Sequence, residues 1–149
     1  MIALLQRVAR AQVDVAGETI AAIGRGLLVF YCAERGDEPA DCDRLLARVL
    51  RMRCFPDNDG RMNRSVQDVR GELLVVPQFT LAADTSSGHR PGFSAAAAPG
   101  EGARLFELFV ERAHEEHDRV QAGRFGADMQ VTLVNDGPVT LWVRAGARA

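Results

Sequence analysis

The sequence predicts an α+β fold, a single compact domain with a mostly antiparallel or mixed, barrel-like sheet of about seven strands and two main helices. Three observations predict it. Short apolar or alternating runs bounded by Gly, Pro, Asn and Asp recur along the chain, as strands do. Two longer segments carry their apolar residues at helical spacing. No linker, repeat or low-complexity stretch divides the 149 residues, so all elements share one core and residues 1–149 form one domain.

The elements follow in order. Ile2 to Val8 and Ala11 to Val15 read as two strands, and Gly17 turns the chain into a third at Glu18 to Ile23. Leu27 to Cys32 is apolar on both faces, as a central strand is. Pro39 suits the first turn of a helix, in which Cys42, Leu45, Leu46, Val49 and Leu50 form one stripe as far as about Met52. Pro56 to Gly60 is a turn by its chemistry, and Met62 to Val69 is expected as a short edge strand. Glu72 to Val76 is a second buried strand, stopped by Pro77, whose missing N–H cannot serve a central ladder. Ala82 to Gly92 reads as an exposed loop. Ala95 to Pro99 leads into a second helix with the stripe Leu105, Phe106, Leu108, Phe109 and Ala113. Ala127 to Leu133 alternates as a half-buried strand does, Asn135 to Pro138 turns, and Val139 to Val143 is the last strand.

Eighteen basic residues against twenty acidic give a net charge of −2, so no whole-molecule positive field points to nucleic acid. All eighteen are arginine, which excludes Schiff-base and lysine general-base chemistry and leaves a cation suited to forked contact with phosphate or carboxylate. They are unevenly spread. Arg44, Arg48, Arg51, Arg53, Arg61 and Arg64 face only Asp57 and Asp59, which reads either as a solvated surface or as a basic patch. The longest apolar run, Leu27 to Ala33, is far below a membrane span, and Met1 to Leu5 is too brief for a signal-peptide core, so a cytoplasmic protein is expected.

Metal and cofactor signatures are missing. Cys32, Cys42 and Cys54 contain no C-x-x-C pair and read as reduced, mostly buried thiols. His114 and His117 are three apart, whereas the H-E-x-x-H zinc motif needs four. Walker A, dinucleotide-binding and G-x-S-x-G sequences are absent as well, so neither a metal nor a cofactor is expected. Two polar segments stand where buried strands stop, Gln78-Phe79-Thr80 and Asn135 to Thr140, and strand ends are where a rigid scaffold aims polar groups into a pocket.

Alone, Asn-Asp-Gly-Pro is a turn and Thr80 is a threonine. Together, Pro77-Gln78-Phe79-Thr80-Leu81 and Asn135-Asp136-Gly137-Pro138-Val139-Thr140 resemble the paired signatures of the D-aminoacyl-tRNA deacylases, Ser-Gln-Phe-Thr-Leu and Asn-x-Gly-Pro-Val-Thr. The resemblance extends through Ile2 to Val8, Met62-Asn63, Ala82 to Thr85, Arg90-Pro91, Phe93-Ser94 and Ala127 to Val131, in family order and over nearly the whole chain.

That resemblance implies a homodimeric enzyme that hydrolyses the ester of D-aminoacyl-tRNA, and of glycyl-tRNA mischarged on alanine tRNA. Its partners would be the aminoacyl-tRNA 3′ end and a second copy of the chain. Gly137 and Pro138 would form a cis-peptide chirality filter, presented from one subunit into the other's site and braced by Arg7. Gln78, Phe79 and Thr80 would line the reaction centre, with the Phe79 and Thr80 amides facing the developing oxyanion. Phe125 and Met129 fall where the family packs the terminal adenine and equally suit ordinary core packing. The missing base is in keeping with catalysis assisted by the terminal ribose 2′-hydroxyl.

Pro77 departs from the family serine and resembles instead a related group, reading Pro-Gln-Ala-Thr-Leu, that removes L-alanine from mischarged tRNA. Phe79, Arg7 and the Asn-x-Gly-Pro-Val-Thr form favour the D-specific group. A non-catalytic nucleic-acid-binding module using Arg44 to Arg64 is the third reading, and it requires salt-sensitive binding without turnover.

Overall fold

A fourteen-residue strand, β1 (Ile2–Val15), organises the sheet in the computed structural model, which describes residues 1–146. Positions 147–149, the last of the expected domain, lie outside the described residues. One edge of β1 pairs with β2 (Glu18–Ile23) and then β3 (Gly26–Cys32), with Ala11 opposite Ile23, Val8 opposite Gly26 and a register shift between Val13 and Asp14. Its other edge pairs antiparallel with β8 (Gln130–Arg144). Beyond β3 the sheet turns parallel through β6 (Glu72–Pro77) and β7 (Val120–Ala122). The Ala22 amide of β2 donates to Gln121 Oε1 of β7 at 2.9 Å, drawing the two ends of the six-stranded sheet toward a barrel.

Side-chain alternation makes β3 and β6 core on both faces. Leu27, Val29, Tyr31, Leu73 and Val75 meet the helices α1 (Pro39–Arg51) and α2 (Pro99–Glu116). Leu28, Leu74 and Val76 turn the other way, onto Val8, Val13 and Ile23 inside the curl. Close approach of β3 to β6 requires Gly26, because a Cβ there would lie 1.9 Å from the Glu72 carbonyl oxygen. The stripe Cys42, Leu45, Leu46, Val49 and Leu50 of α1 is buried as its spacing requires. The stripe of α2 is Gly102, Leu105, Phe106, Phe109 and Ala113, with Leu108 half-buried at its margin.

Four sequence expectations change. The two opening strands are one, because bulges between Gln6 and Arg10 let β1 continue while shifting which side chains face inward. Asn135 to Pro138 does not end its strand: β8 runs through it, and the extra residues bulge out opposite Arg7, between the pairs Val8 with Asn135 and Gln6 with Thr140. The edge strand at Met62 shortens to β5 (Met62–Arg64), hairpin partner of β4 (Phe55–Pro56). Beyond it the Ser65 amide donates to Asp68 Oδ2 and the Asp68 amide to Ser65 Oγ, which closes a turn in place of a ladder. β7, flanked by charged residues and three residues long, had no apolar run to announce it, so the strands number eight.

Candidate active site

The parallel pair β3 and β6 ends at Tyr31 and Pro77, where the Gln78 amide donates to the Tyr31 carbonyl at 2.7 Å and extends the ladder past the proline. The chain then winds into a short 3-10 turn, Phe79–Ala82. As the first amides of that turn, Phe79 and Thr80 N–H have no carbonyl one turn back to donate to. Gln78 Nε2 donates to Thr80 Oγ1, fixing both polar side chains at the strand end. The Phe79 ring is 54% exposed and meets Phe93 edge-on at 5.1 Å between centroids.

Beside this turn opens a cleft of about 450 Å³, lined by Tyr31, Cys32, Val76, Pro77, Gln78 and Phe79 on the sheet side and by Pro99, Gly102, Phe125 and Met129 on the other. The expected pocket residues Phe125 and Met129 are thus brought to one wall, both half-buried. Their positions depend on neighbours without side chains. A Cβ on Gly123 would lie 2.9 Å from Met129 Sδ, and one on Gly102 would touch the Phe125 ring at 3.4 Å. Tyr31, Cys32 and Gly102 are cleft residues that the sequence offered only as core or helix. The one usable signal was Gly102 on the inward face of an apolar stripe.

The cleft is poor in acid, base and nucleophile. Among the described residues lining it there is no carboxylate and no imidazole. Burial, aided by the nearby Glu34 carboxylate, pushes the Cys32 thiol up to about 11, so it stays protonated at neutral pH. Its Sγ–H is directed at the carbonyls of Ala33 and Phe79.

The second motif lies elsewhere in the same chain. The Gly137-Pro138 peptide is cis, and both residues are exposed on the β8 bulge. Arg7 holds that bulge by donating Nε to the Asp136 carbonyl at 2.9 Å and Nη1 to the Cys54 carbonyl at 2.7 Å. Asn135 closes it from within: Oδ1 accepts from the Val139 amide at 3.0 Å, and Nδ2 donates to Thr140 Oγ1 at 2.9 Å. Gly137 has φ +138°, and a Cβ there would sit 2.8 Å from Val139 Cγ2 and 3.0 Å from Arg7 Nη2.

Arg7 pairs with Leu27 at the start of β3, whereas Gln78 binds Tyr31 near its end. At the usual strand rise, four residues set the two motifs roughly 13 Å apart along the sheet. Between them lies an open apolar row, Trp142, Leu4 and Phe30, on the same face of three neighbouring strands, with Trp142 53% exposed.

These features define a class of protein: a small α+β domain with a curled mixed sheet, a cleft at the carboxyl ends of its parallel strands, and a cis Gly-Pro bulge held by Arg7 and Asn135. The family model described as D-Tyr-tRNA(Tyr) deacylase matches residues 4–144. A D-aminoacyl-tRNA deacylase of Aromatoleum aromaticum is 62% identical over 97% of this chain and 95% of its own. Another, of Variovorax paradoxus, is 63% identical over 95% of this chain and 97% of its own. Among solved structures, one described as c-Myc DNA Unwinding Element Binding Protein superposes with a TM-score of 0.94 at 36% identity, covering 99% of this chain and all of that one. A probable eukaryotic D-amino acid tRNA deacylase shares the fold, with a TM-score of 0.80 at 18% identity over 95% of this chain and 97% of that one. The chain belongs to the D-Tyr-tRNA(Tyr) deacylase family.

Proposed function

We propose that this protein hydrolyses the ester joining a D-amino acid, or glycine, to the 3′ end of tRNA, as a homodimer whose two sites each draw on both chains. Identity above 60% over nearly the full chain to proteins named D-aminoacyl-tRNA deacylase supports the reaction. The observation that carries the assembly is the separation of the two motifs on either side of an apolar row in which Trp142 is exposed and Leu4 and Phe30 are half-buried. A two-fold axis through that row would bring the Gly137-Pro138 bulge of one chain to the Gln78 turn of the other, as an isologous interface requires.

In this reading the terminal adenine occupies the cleft against the wall of Phe125 and Met129, and the scissile carbonyl lies over the 3-10 turn. The free amides of Phe79 and Thr80 receive the charge that builds on the carbonyl oxygen as water adds. Collapse of the tetrahedral intermediate expels the ribose 3′ oxygen, beside which the 2′-hydroxyl lies ready to take part in proton transfer. Gln78 and Thr80 form a polar wall. The partner's bulge offers main-chain carbonyls to the substrate ammonium and blocks the direction in which an L side chain would point. A filter made of backbone rejects by clash at the first side-chain carbon, so handedness counts for more than size.

Matched D- and L-tyrosyl-tRNA test the proposal. The D ester is lost and the L ester persists at the rate of the enzyme-free control. Loss of both at similar rates would favour an L-tolerant hydrolase, which Pro77 permits, and binding of both with loss of neither would leave only a nucleic-acid-binding module.

A further inference from the structure

Most charged contacts of this protein pair an arginine with an acid, as in Arg44 with Asp41, Arg104 with Glu101, Arg112 with Asp43 and Arg144 with Glu34. Of the arginines outside those pairs, five gather on one surface. Arg48 and Arg51 on the last turn of α1, Arg53 just beyond it, and Arg61 and Arg64 on the β4–β5 hairpin are exposed or nearly so, and none has a carboxylate partner among the described ion pairs. A shallow groove of about 520 Å³ joins helix to hairpin, lined by Arg48, Arg51, Arg53 and Met62. Of the nearby carboxylates, Asp57 accepts from the Asp59 and Arg61 amides and from Asn63 Nδ2, Asp68 closes the turn with Ser65, and Asp59 enters none of the described ion pairs. Arg48 donates to the Arg144 carbonyl, and Arg64 donates to Asn58 Oδ1 while standing near enough to Asp57 and Asp68 to add to the backbone hydrogen bonds that hold both carboxyls below their usual range.

The negative end of the α1 dipole accounts for Arg48 and Arg51, since cations are stabilised at a helix C-terminus. It does not account for Arg53, Arg61 and Arg64, which lie outside the helix. Like charges gathered on one hairpin repel unless an anion joins them. The groove also has a defined neighbour. Cys54, next to Arg53, gives its carbonyl to Arg7 Nη1, and Arg7 Nε holds the Gly137-Pro138 bulge. In the two-chain reading these arginines stand beside the bulge that one chain lends to its partner's cleft, so they flank the approach of an acceptor arm to that cleft. Met62, 56% exposed in their midst, offers an apolar contact for a ribose or base.

Building on the deacylase reading, we propose that the surface made by the end of α1 and the β4–β5 hairpin grips the phosphate backbone of the tRNA acceptor arm, through Arg51 and Arg53 in the groove and Arg61 and Arg64 on the hairpin that bounds it. Forked guanidinium donors suit phosphate oxygens, and such contacts add affinity without reading sequence. Arg44, which the sequence grouped with them, is excluded by its bond to Asp41.

The test is the triple variant Arg53→Ala, Arg61→Ala, Arg64→Ala beside a charge-matched control, Arg10→Ala, Arg35→Ala, Arg70→Ala, whose positions are exposed elsewhere. Binding of uncharged tRNA and hydrolysis of D-tyrosyl-tRNA are followed from 50 to 200 mM salt, with D-tyrosyl-adenosine as a substrate lacking phosphates. The triple variant shows a raised KM on tRNA and a salt slope shallower by about 2 to 3, given about 0.7 to 0.9 for each phosphate that is no longer neutralised. Its kcat and its turnover of D-tyrosyl-adenosine stay at parent values, and the control keeps the parent slope. An unchanged slope in the triple variant, or equal slopes in variant and control, overturns the proposal. Failure of the parent to cleave D-tyrosyl-tRNA would refute the deacylase reading instead, and the tRNA-binding slope would still judge the groove.

Discussion

Replacing the terminal adenosine of D-tyrosyl-tRNA by 2′-deoxyadenosine lowers the rate of ester loss by about 10²-fold or more, the usual contribution of a positioned proton-transfer group. Thr80→Ala, by contrast, stays within about tenfold of the parent rate, because a wall residue contributes far less than a nucleophile. Both expectations come from what lines the cleft. Its described residues include no carboxylate or imidazole, and its thiol is held protonated by burial. Thr80 Oγ1 is exposed and already accepts a hydrogen bond from Gln78, with no base beside it to remove its proton. On the proposed reading the protein supplies position and main-chain amides, and the substrate supplies the hydroxyl. Single-turnover rates on the two tRNAs, with and without the threonine, read this directly. Equal rates on both tRNAs, or abolished turnover in a folded Thr80→Ala, would assign the chemistry to the protein.

Arg7→Ala is expected to lower kcat/KM on D-tyrosyl-tRNA by about 10²-fold, the scale of a misplacement of about 1 Å at a reacting centre. The side chain is only 11% exposed and joins the β8 bulge to the segment before β4 through two main-chain carbonyls. Without it the bulge keeps its internal Asn135 bonds but loses its anchor to the domain. The freed Cys54 carbonyl, at a buried residue, costs about 1 to 3 kcal/mol if no water replaces the donor. Arg7→Lys restores little, since one ammonium cannot reproduce a fork that reaches both carbonyls. Kinetics on D-, L- and glycyl-tRNA, with thermal melting alongside, separate a displaced bulge from an unfolded chain. Parent-like turnover in Arg7→Ala would show that the bulge needs no brace.

Much of this was legible in the sequence because it rests on local rules. The alternation of β3 and β6 on both faces, the stripe of α1 and the stop at Pro77 all follow from spacing and from a missing N–H. The paired motifs were legible too, as a resemblance. What spacing could not reveal was long-range. Asn-Asp-Gly-Pro has turn chemistry, and only pairing with β1 on both sides of it, residue against residue, makes it a bulge inside a strand. β7 exists because β6 offers it an edge, not because its own three residues demand one. The Arg44 to Arg64 run read as one group, yet the fold bonds Arg44 to Asp41 and leaves Arg61 and Arg64 outside the described ion pairs. The distance between the motifs along the sheet, on which the proposed two-chain site depends, has no sequence counterpart at all.

The central claim is that a main-chain bulge, not a shaped side-chain pocket, selects the substrate, and glycyl-tRNA against L-alanyl-tRNA tests it most directly because the two differ by one methyl group. A hydrophobic pocket separates substrates differing by one carbon by only about 10- to 200-fold. A backbone wall at the first side-chain carbon admits glycine and stops L-alanine altogether. Single-turnover deacylation on the same tRNA should therefore remove glycine while L-alanine leaves no faster than without enzyme. Comparable rates for the two would contradict the account.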